Sequence, residues 1–168
     1  MNFESSKTLS GVGAILVAIG SFDPVLAIVG IILVLIGLKG LAEAYGEKAV
    51  FQNALYGLIF EVVAAAAFCF VLVGALLGGL ATLSLTVFLA GFGLALIVAF
   101  VSSVLAAYFY KKSFDLLSSK SGERLFRTAG LLMLIGAVLT IILVGAFITL
   151  VAWILAAVAF FSLKPTVA

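Results

Sequence analysis

Six apolar segments, at residues 9–20, 25–38, 54–77, 83–108, 128–144 and 147–163, alternate with short polar or charged stretches along the chain. The last two come from one uninterrupted apolar run, 128–163. As a single helix that run would reach about 54 Å against a hydrocarbon core of about 30 Å, so it must fold back. Gly145, near its middle, is the expected turn, because glycine accepts the backbone angles a tight turn needs. Between the first two segments, Ser21-Phe22-Asp23-Pro24 is turn chemistry, with proline opening the second helix. A third outer loop is expected at 78–82. The pattern predicts an all-α polytopic membrane protein: one domain, 1–168, of six transmembrane helices arranged as three antiparallel hairpins, with longer loops at 39–53 and 111–127.

Segments one and two are short, about 18 to 21 Å as helices, which leaves a re-entrant hairpin as the alternative to two full crossings. The preferred solution extends each through its polar flank, 5–8 and 39–44, with long side chains snorkelling to the interface. The first segment is read as a span and not as a cleaved signal.

Composition agrees with a chain whose solvent is lipid. Hydrophobic residues make up 66% and charged residues 10%, with a mean hydropathy of +1.46; a soluble domain runs near 45–50% and about 25%. There is no histidine, and the one cysteine, Cys69, sits in an apolar stretch where a small buried hydrophobe is expected. Zinc, haem and Cys-His nucleophile sites therefore lack their usual groups, and neither a metal nor a cofactor is expected. A net charge of +2, scattered along the chain, gives no nucleic-acid footprint. No Gly-rich loop follows a strand-like pattern, so no nucleotide site is indicated.

Charge also orients the chain. The outer loops carry no lysine or arginine, while all nine basic residues (Lys7, Lys39, Lys48, Lys111, Lys112, Lys120, Arg124, Arg127 and Lys164) fall on the other side. By the positive-inside rule both termini are cytoplasmic. The four tyrosines, Tyr45, Tyr56, Tyr108 and Tyr110, fall on that side too, as an interfacial belt, and Trp153 falls toward the opposite face.

The two cytoplasmic loops echo each other. Gly46-Glu47-Lys48-Ala49-Val50-Phe51-Gln52-Asn53-Ala54 stands beside Gly122-Glu123-Arg124-Leu125-Phe126-Arg127-Thr128-Ala129, sharing Gly-Glu-basic, a short spacer, then Phe-x-x-Ala. Glutamate early in a helix favours its N-terminal dipole, and phenylalanine is expected to anchor at the interface. The echo maps span three onto span five in the same direction, so the duplication would be parallel, whereas many carriers have inverted repeats. A second echo sets Gly13-Ala14-Ile15-Leu16-Val17-Ala18-Ile19-Gly20 beside Gly30-Ile31-Ile32-Leu33-Val34-Leu35-Ile36-Gly37. Together with the Gly37-Leu38-Lys39 exit, Tyr45-Gly46-Glu47-Lys48, Phe51-Gln52-Asn53-Ala54-Leu55-Tyr56-Gly57 and the closing Ala159-Phe160-Phe161-Ser162-Leu163, the chain resembles the uncharacterised, mainly archaeal membrane protein family called domain of unknown function 996. The resemblance implies a multi-pass helical protein of a prokaryotic cell membrane and carries no activity with it.

Glu61 is the one charge inside a span. Counted back from Gly78 it lies about 25 Å deep, roughly one turn inside the cytoplasmic boundary. A carboxylate at the bilayer centre costs about 2.5 to 3.5 kcal/mol on insertion scales, and intramembrane acids usually face the protein interior. Ser102 and Ser103 on span four lie at matching depth. Glu61, Ser102 and Ser103 thus form either an ion or proton site or an interhelical hydrogen bond, unless the Glu61 side chain snorkels to Lys111 or Lys112. Small residues at Gly91, Ala95, Ala99, Ser103 and Ala107, facing Gly57, Glu61, Ala65 and Cys69, predict a tight pair of spans three and four. Lys111, Lys112, Lys120, Arg124 and Arg127 set topology, or contact anionic lipid or a partner's acidic face. The expected partners are the lipid bilayer and either the chain itself or a larger membrane complex, with no nucleic acid. With nothing catalytic assembled, the expected role is non-enzymatic: a structural or accessory subunit or homo-oligomeric scaffold, with a small channel or carrier using Glu61 as the alternative.

Overall fold

The computed structural model describes residues 2–21, 23–82, 84–142 and 144–165. Among them are six α-helices: α1 (Phe3–Ile19), α2 (Pro24–Ala44), α3 (Lys48–Thr82), α4 (Leu85–Ser121), α5 (Leu125–Leu139) and α6 (Val144–Ser162), with one turn of 3-10 helix, Thr140–Ile142, after α5. A helix stands at each of the six apolar segments, and the fold is all-α. Four of the helices, α2, α3, α4 and α6, are long and apolar enough to cross a membrane.

Local chemistry sets several of the helix ends. The Asn2 carboxamide accepts from Ser5 N at 2.8 Å and the Asp23 carboxylate from Val25 N at 2.9 Å, with Pro24 in the first turn of α2. Each satisfies a backbone donor that the helix itself cannot. The expected turn at 21–24 is thus capped as its chemistry implied, although Phe22 lies outside the described residues. Gly46 (φ +66°) and Gly122 (φ +76°) are the positive-φ glycines among the described residues. After α2, Glu47 N bonds to Ala42 O and Gly46 N to Glu43 O, which is a Schellman ending. After α4, Gly122 N bonds to Ser118 O. The repeated Gly-Glu-basic motif is therefore a helix stop followed at once by a helix start.

Those stops leave much shorter connections than the expected loops at 39–53 and 111–127. Helix α2 continues to Ala44 and α3 starts at Lys48, while α4 runs to Ser121 and α5 starts at Leu125. The drop in hydrophobicity marks where lipid is expected to end and not where the helix ends. On α4, Ser113, Phe114 and Leu117 are buried between the charged residues, an amphipathic face that keeps the helix docked. The outer loop expected at 78–82 is likewise helical, and α4 opens with Ser84 Oγ accepting from Val87 N at 3.4 Å. Leu83, expected to begin span four, lies outside the described residues.

Consecutive helices pack against one another, and α1 closes the ring against α6. Glycines let the backbones approach. A Cβ built on Gly13 would stand 2.7 Å from Gly30 O, and one on Gly30 would stand 2.7 Å from Gly13 O. One on Gly20 would meet Ala27, and one on Gly37 would meet Ser10. The four glycines of the second echo are therefore the α1–α2 contact. Gly145 is not the turn expected of it. It lies in the first turn of α6, where a Cβ would come within 2.1 Å of Gly136 O, while the chain reverses just before it. Its small size serves helix approach and not turn geometry.

The core sits where α4, α5 and α6 meet. Phe114, Phe126 and Phe160 are fully buried, with ring centroids 4.9 to 5.9 Å apart. Phe126 is thus a core residue and not an interfacial anchor. Trp153 and Tyr110 are buried beside this cluster, so neither belongs to an aromatic belt. Ala54 and Ala129, which close the two repeats, are also fully buried.

Spans three and four do form a close pair, but along a different row on α3. Gly57, Ala64 and Ala75 are buried, whereas Ala65 and Cys69 are exposed. A strict four-residue row turns about 40° further around a helix at each step. A long pair instead steps by threes and fours, as the buried positions 95, 102, 106, 110, 113 and 117 of α4 do. Across residues 65–101 the buried positions among the described residues are Ala75 and Ala95, so the outer halves of α3 and α4 are exposed except along their own seam.

Candidate functional site

Glu61 lies on α3 four residues after Gly57, hence on the same face one turn on. That pair of positions receives Tyr110 from α4. A Cβ on Gly57 would stand 2.9 Å from the Tyr110 ring, so glycine leaves the space the ring fills. The Tyr110 hydroxyl donates to Glu61 Oε2 at 2.9 Å. Trp153 from α6 stands against the tyrosine with ring centroids 5.9 Å apart and planes at 71°.

This arrangement corrects the serine partners expected for Glu61. Neighbouring helix positions point about 100° apart, so Ser102 and Ser103 cannot both face one acid. Ser102 is buried and lies outside the cavity that Glu61 borders. Ser103 lines that cavity, but its hydroxyl donates to Phe100 O at 2.8 Å. The face presented to Glu61 is 103, 106, 107 and 110, spaced as one helical stripe.

The cavity, about 170 Å³, lies among α3, α4, α5 and α6. It has room for several waters or a small ion. Its polar lining adds Thr140 and Thr149, whose hydroxyls donate to Gly136 O at 2.8 Å and Gly145 O at 2.9 Å and keep lone pairs to offer. A second space, an apolar groove of about 410 Å³, runs among α1, α2 and α3 between Val17, Ala27, Ile31, Leu58, Ala65 and Cys69. Glu61 borders both spaces. Cys69 is exposed in that groove and not buried as expected.

The neighbours also fix the level of Glu61 in the fold. Thr140 and Thr149 flank the α5–α6 reversal, and Val17 and Ala27 flank the α1–α2 reversal. Glu61 is therefore level with the ends of the four shorter helices that lie remote from Gly46 and Gly122, and not beside the basic turns. Among the described residues no three His, Cys, Asp or Glu side chains converge as a metal site would require.

The five basic candidates separate into two groups. Lys111 pairs with Asp115 one turn later, and Lys120 pairs with Glu47 at 3.2 Å, tying the two glycine turns together. Lys112, Arg124 and Arg127 are exposed and make no ion pair among the described residues. Nearby, the Tyr45 hydroxyl donates to Lys164 O at 2.9 Å; partial burial pushes its pKa up, which keeps it a donor.

The model of the family described as protein of unknown function (DUF996) matches residues 26–154. An uncharacterised protein of Methanocaldococcus jannaschii, MJ1644, is 33% identical over 172 residues, covering 97% of this chain and 94% of the relative. The chain belongs to the DUF996 family. The resemblance read from the glycine turns and the closing Ala-Phe-Phe-Ser-Leu is thereby borne out. No solved structure matches the chain. The part matched by the DUF996 model includes every residue lining the Glu61 cavity and omits α1.

Sequence reasoning missed Tyr110, Trp153, Thr140 and Thr149. Tyr110 precedes Lys111 and Lys112 and so reads as a belt residue, and the threonines fall within the fifth and sixth apolar segments with nothing to single them out. The signal available was steric: a glycine one turn before the lone acid leaves room for a large partner.

Proposed function

We propose that this DUF996 protein is a multi-pass protein of the cell membrane, with three antiparallel hairpins and both termini cytoplasmic, and that it acts without catalysis as a small channel or carrier with Glu61 as its ion or proton site. The observation that carries this reading is the Glu61 carboxylate, held by Tyr110 at 2.9 Å, at the border of a cavity lined by the hydroxyls of Ser103, Thr140 and Thr149. An acid serving only to join two helices needs a donor and no cavity. Glu61 is exposed toward the spaces it borders, and acids at membrane depth that face a cavity mark ion or proton pathways by default. The absence of basic residues from the outer turns supports the orientation.

The test is flux in proteoliposomes carrying wild type or Glu61→Gln, read with an interior pH dye and with sodium- and potassium-loaded vesicles. Wild type is expected to dissipate at least one of these gradients, and Glu61→Gln to do so at least tenfold more slowly. Equal flux in the two proteins removes the reading.

A second reading, a structural or accessory subunit or homo-oligomeric scaffold, is favoured by the exposed outer halves of α3 and α4, with Phe70 82% exposed. Mass spectrometry of the protein purified from its own membranes in mild detergent distinguishes the two. A stoichiometric unrelated partner supports the subunit role; a homo-oligomer alone fits both a scaffold and a carrier, and Glu61-dependent flux then decides between them.

A further inference from the structure

We infer that the ligand of the Glu61 site is a lipophilic monovalent cation, an ammonium or phosphonium on an apolar body, reaching the carboxylate from the bilayer along the groove between α1, α2 and α3. The inference rests on the ion-site reading of Glu61 and adds the ligand's chemistry and its route.

Charge sets the valence. One carboxylate offers one negative charge, and among the described residues no second acid lines either space that Glu61 borders. A divalent ion asks for six or more oxygen ligands, several of them charged, and the described residues bring no such group together. Small hydrated monovalent ions are poorly served too, because among the described residues the groove between Val17, Ile31, Leu58 and Ala65 holds no polar side chain except Glu61 and the weakly polar Cys69 thiol to replace lost water. A cation whose charge is already shielded by hydrocarbon gives up little hydration there and gains apolar contact.

Geometry supplies the rest. The Tyr110 and Trp153 rings meet at 71° with centroids 5.9 Å apart, forming an aromatic corner on the cavity side of Glu61. A cation drawn to the carboxylate stands beside Tyr110, whose hydroxyl donates to that carboxylate, with Trp153 packed against the tyrosine ring. The groove of about 410 Å³ accommodates the apolar body of such a cation beside the Glu61 carboxylate. Because Ile28 and Val62, both exposed, line the groove, it opens on the surface that faces lipid in a membrane.

The chain's single tryptophan makes the test direct, since Trp153 lines the cavity. Tetraphenylphosphonium is titrated into full-length protein in nanodiscs of zwitterionic lipid while Trp153 fluorescence is read, with empty nanodiscs, sodium chloride and potassium chloride as controls. A saturable change is expected with wild type, at least tenfold weaker in Glu61→Gln and in Ala65→Phe, with little response to either salt. Ala65 is exposed in the groove and the substitution breaks no buried packing, so Ala65→Phe keeps the test decisive if Glu61→Gln does not elute as folded protein. Equal tetraphenylphosphonium affinity in wild type and both variants places the binding elsewhere and overturns the inference. No saturable change alongside Glu61-dependent flux in proteoliposomes overturns the ligand class and leaves the ion site standing. The absence of both overturns the two together.

Discussion

Tyr110 joins the packing of this protein to its candidate chemistry. Its ring fills the notch left by Gly57 and abuts Trp153, while its hydroxyl holds the Glu61 carboxylate. Tyr110→Phe keeps the ring and removes only the hydroxyl. Hydrogen bonds to charged groups are worth about 1.5–3 kcal/mol, so a loss on that order is expected in unfolding from detergent followed by circular dichroism. A change below about 0.5 kcal/mol would mean that water or Ser103 replaces the phenol without loss. Tyr45→Phe should cost less, because its bond to Lys164 O is exposed to solvent. Glu61 was legible in the sequence because a lone acid in an apolar run has few structural excuses. Its partner was not, since the identity of a donor on another helix depends on the register of α3 against α4, and an apolar pattern this uniform does not encode register.

Helices meet here through missing side chains, and the cost of restoring a methyl depends on where it lands. Gly145→Ala places a Cβ against the Gly136 carbonyl and the backbone of residues 139 and 140, with no flexible side chain to give way. Overpacking of this kind typically costs about 1–3 kcal/mol. Gly74→Ala and Gly93→Ala meet nothing within 4 Å and sit within helices, so they should be neutral or stabilise by up to about 1 kcal/mol. Thermal melts of the three variants in one detergent check the contrast, and similar losses in all three would contradict the α5–α6 contact. Gly122→Ala tests a different property. Space is open around it, but its φ of +76° costs an L-residue about 1–2 kcal/mol. At this scale the sequence carried helix existence well, because each apolar run is long and uniform. It misplaced helix ends, because charged residues at 109–121 ride on a helix whose other face is buried. It also mistook Gly145 for a turn, since the same residue type serves bends and close approach.

The lengths of the six helices do not match one another, and that mismatch governs how the molecule sits in lipid. Helices α3 and α4, 35 and 37 residues long, reach about 52 and 55 Å. Beyond Cys69, the last α3 residue lining the groove beside Ala27, α3 runs on for about 20 Å past the α1–α2 reversal. No charge occurs from residue 62 to residue 110. An uncharged, exposed pair of helices belongs in hydrocarbon, yet a core of about 30 Å cannot hold both the bundle and this extension upright, so the long pair must tilt or thicken the bilayer around it. Asp23, exposed at the α1–α2 reversal, pulls the other way, because a charge deep in lipid costs about 2.5–3.5 kcal/mol. Thiol labelling of intact cells, in a Cys69→Ala background, measures the balance. Ser84→Cys and Ser21→Cys are both expected to react with a membrane-impermeant maleimide from outside, and Ser121→Cys only after the membrane is opened. Labelling at Ser84→Cys with none at Ser21→Cys from either side would mean that the α1–α2 pair stops within the bilayer as a re-entrant hairpin. The Glu61 site would then lie at the inner end of a partial crossing, with only the α3–α4 extension between it and the outer face. Reaction of Ser84→Cys and Ser121→Cys from the same side would overturn the arrangement altogether.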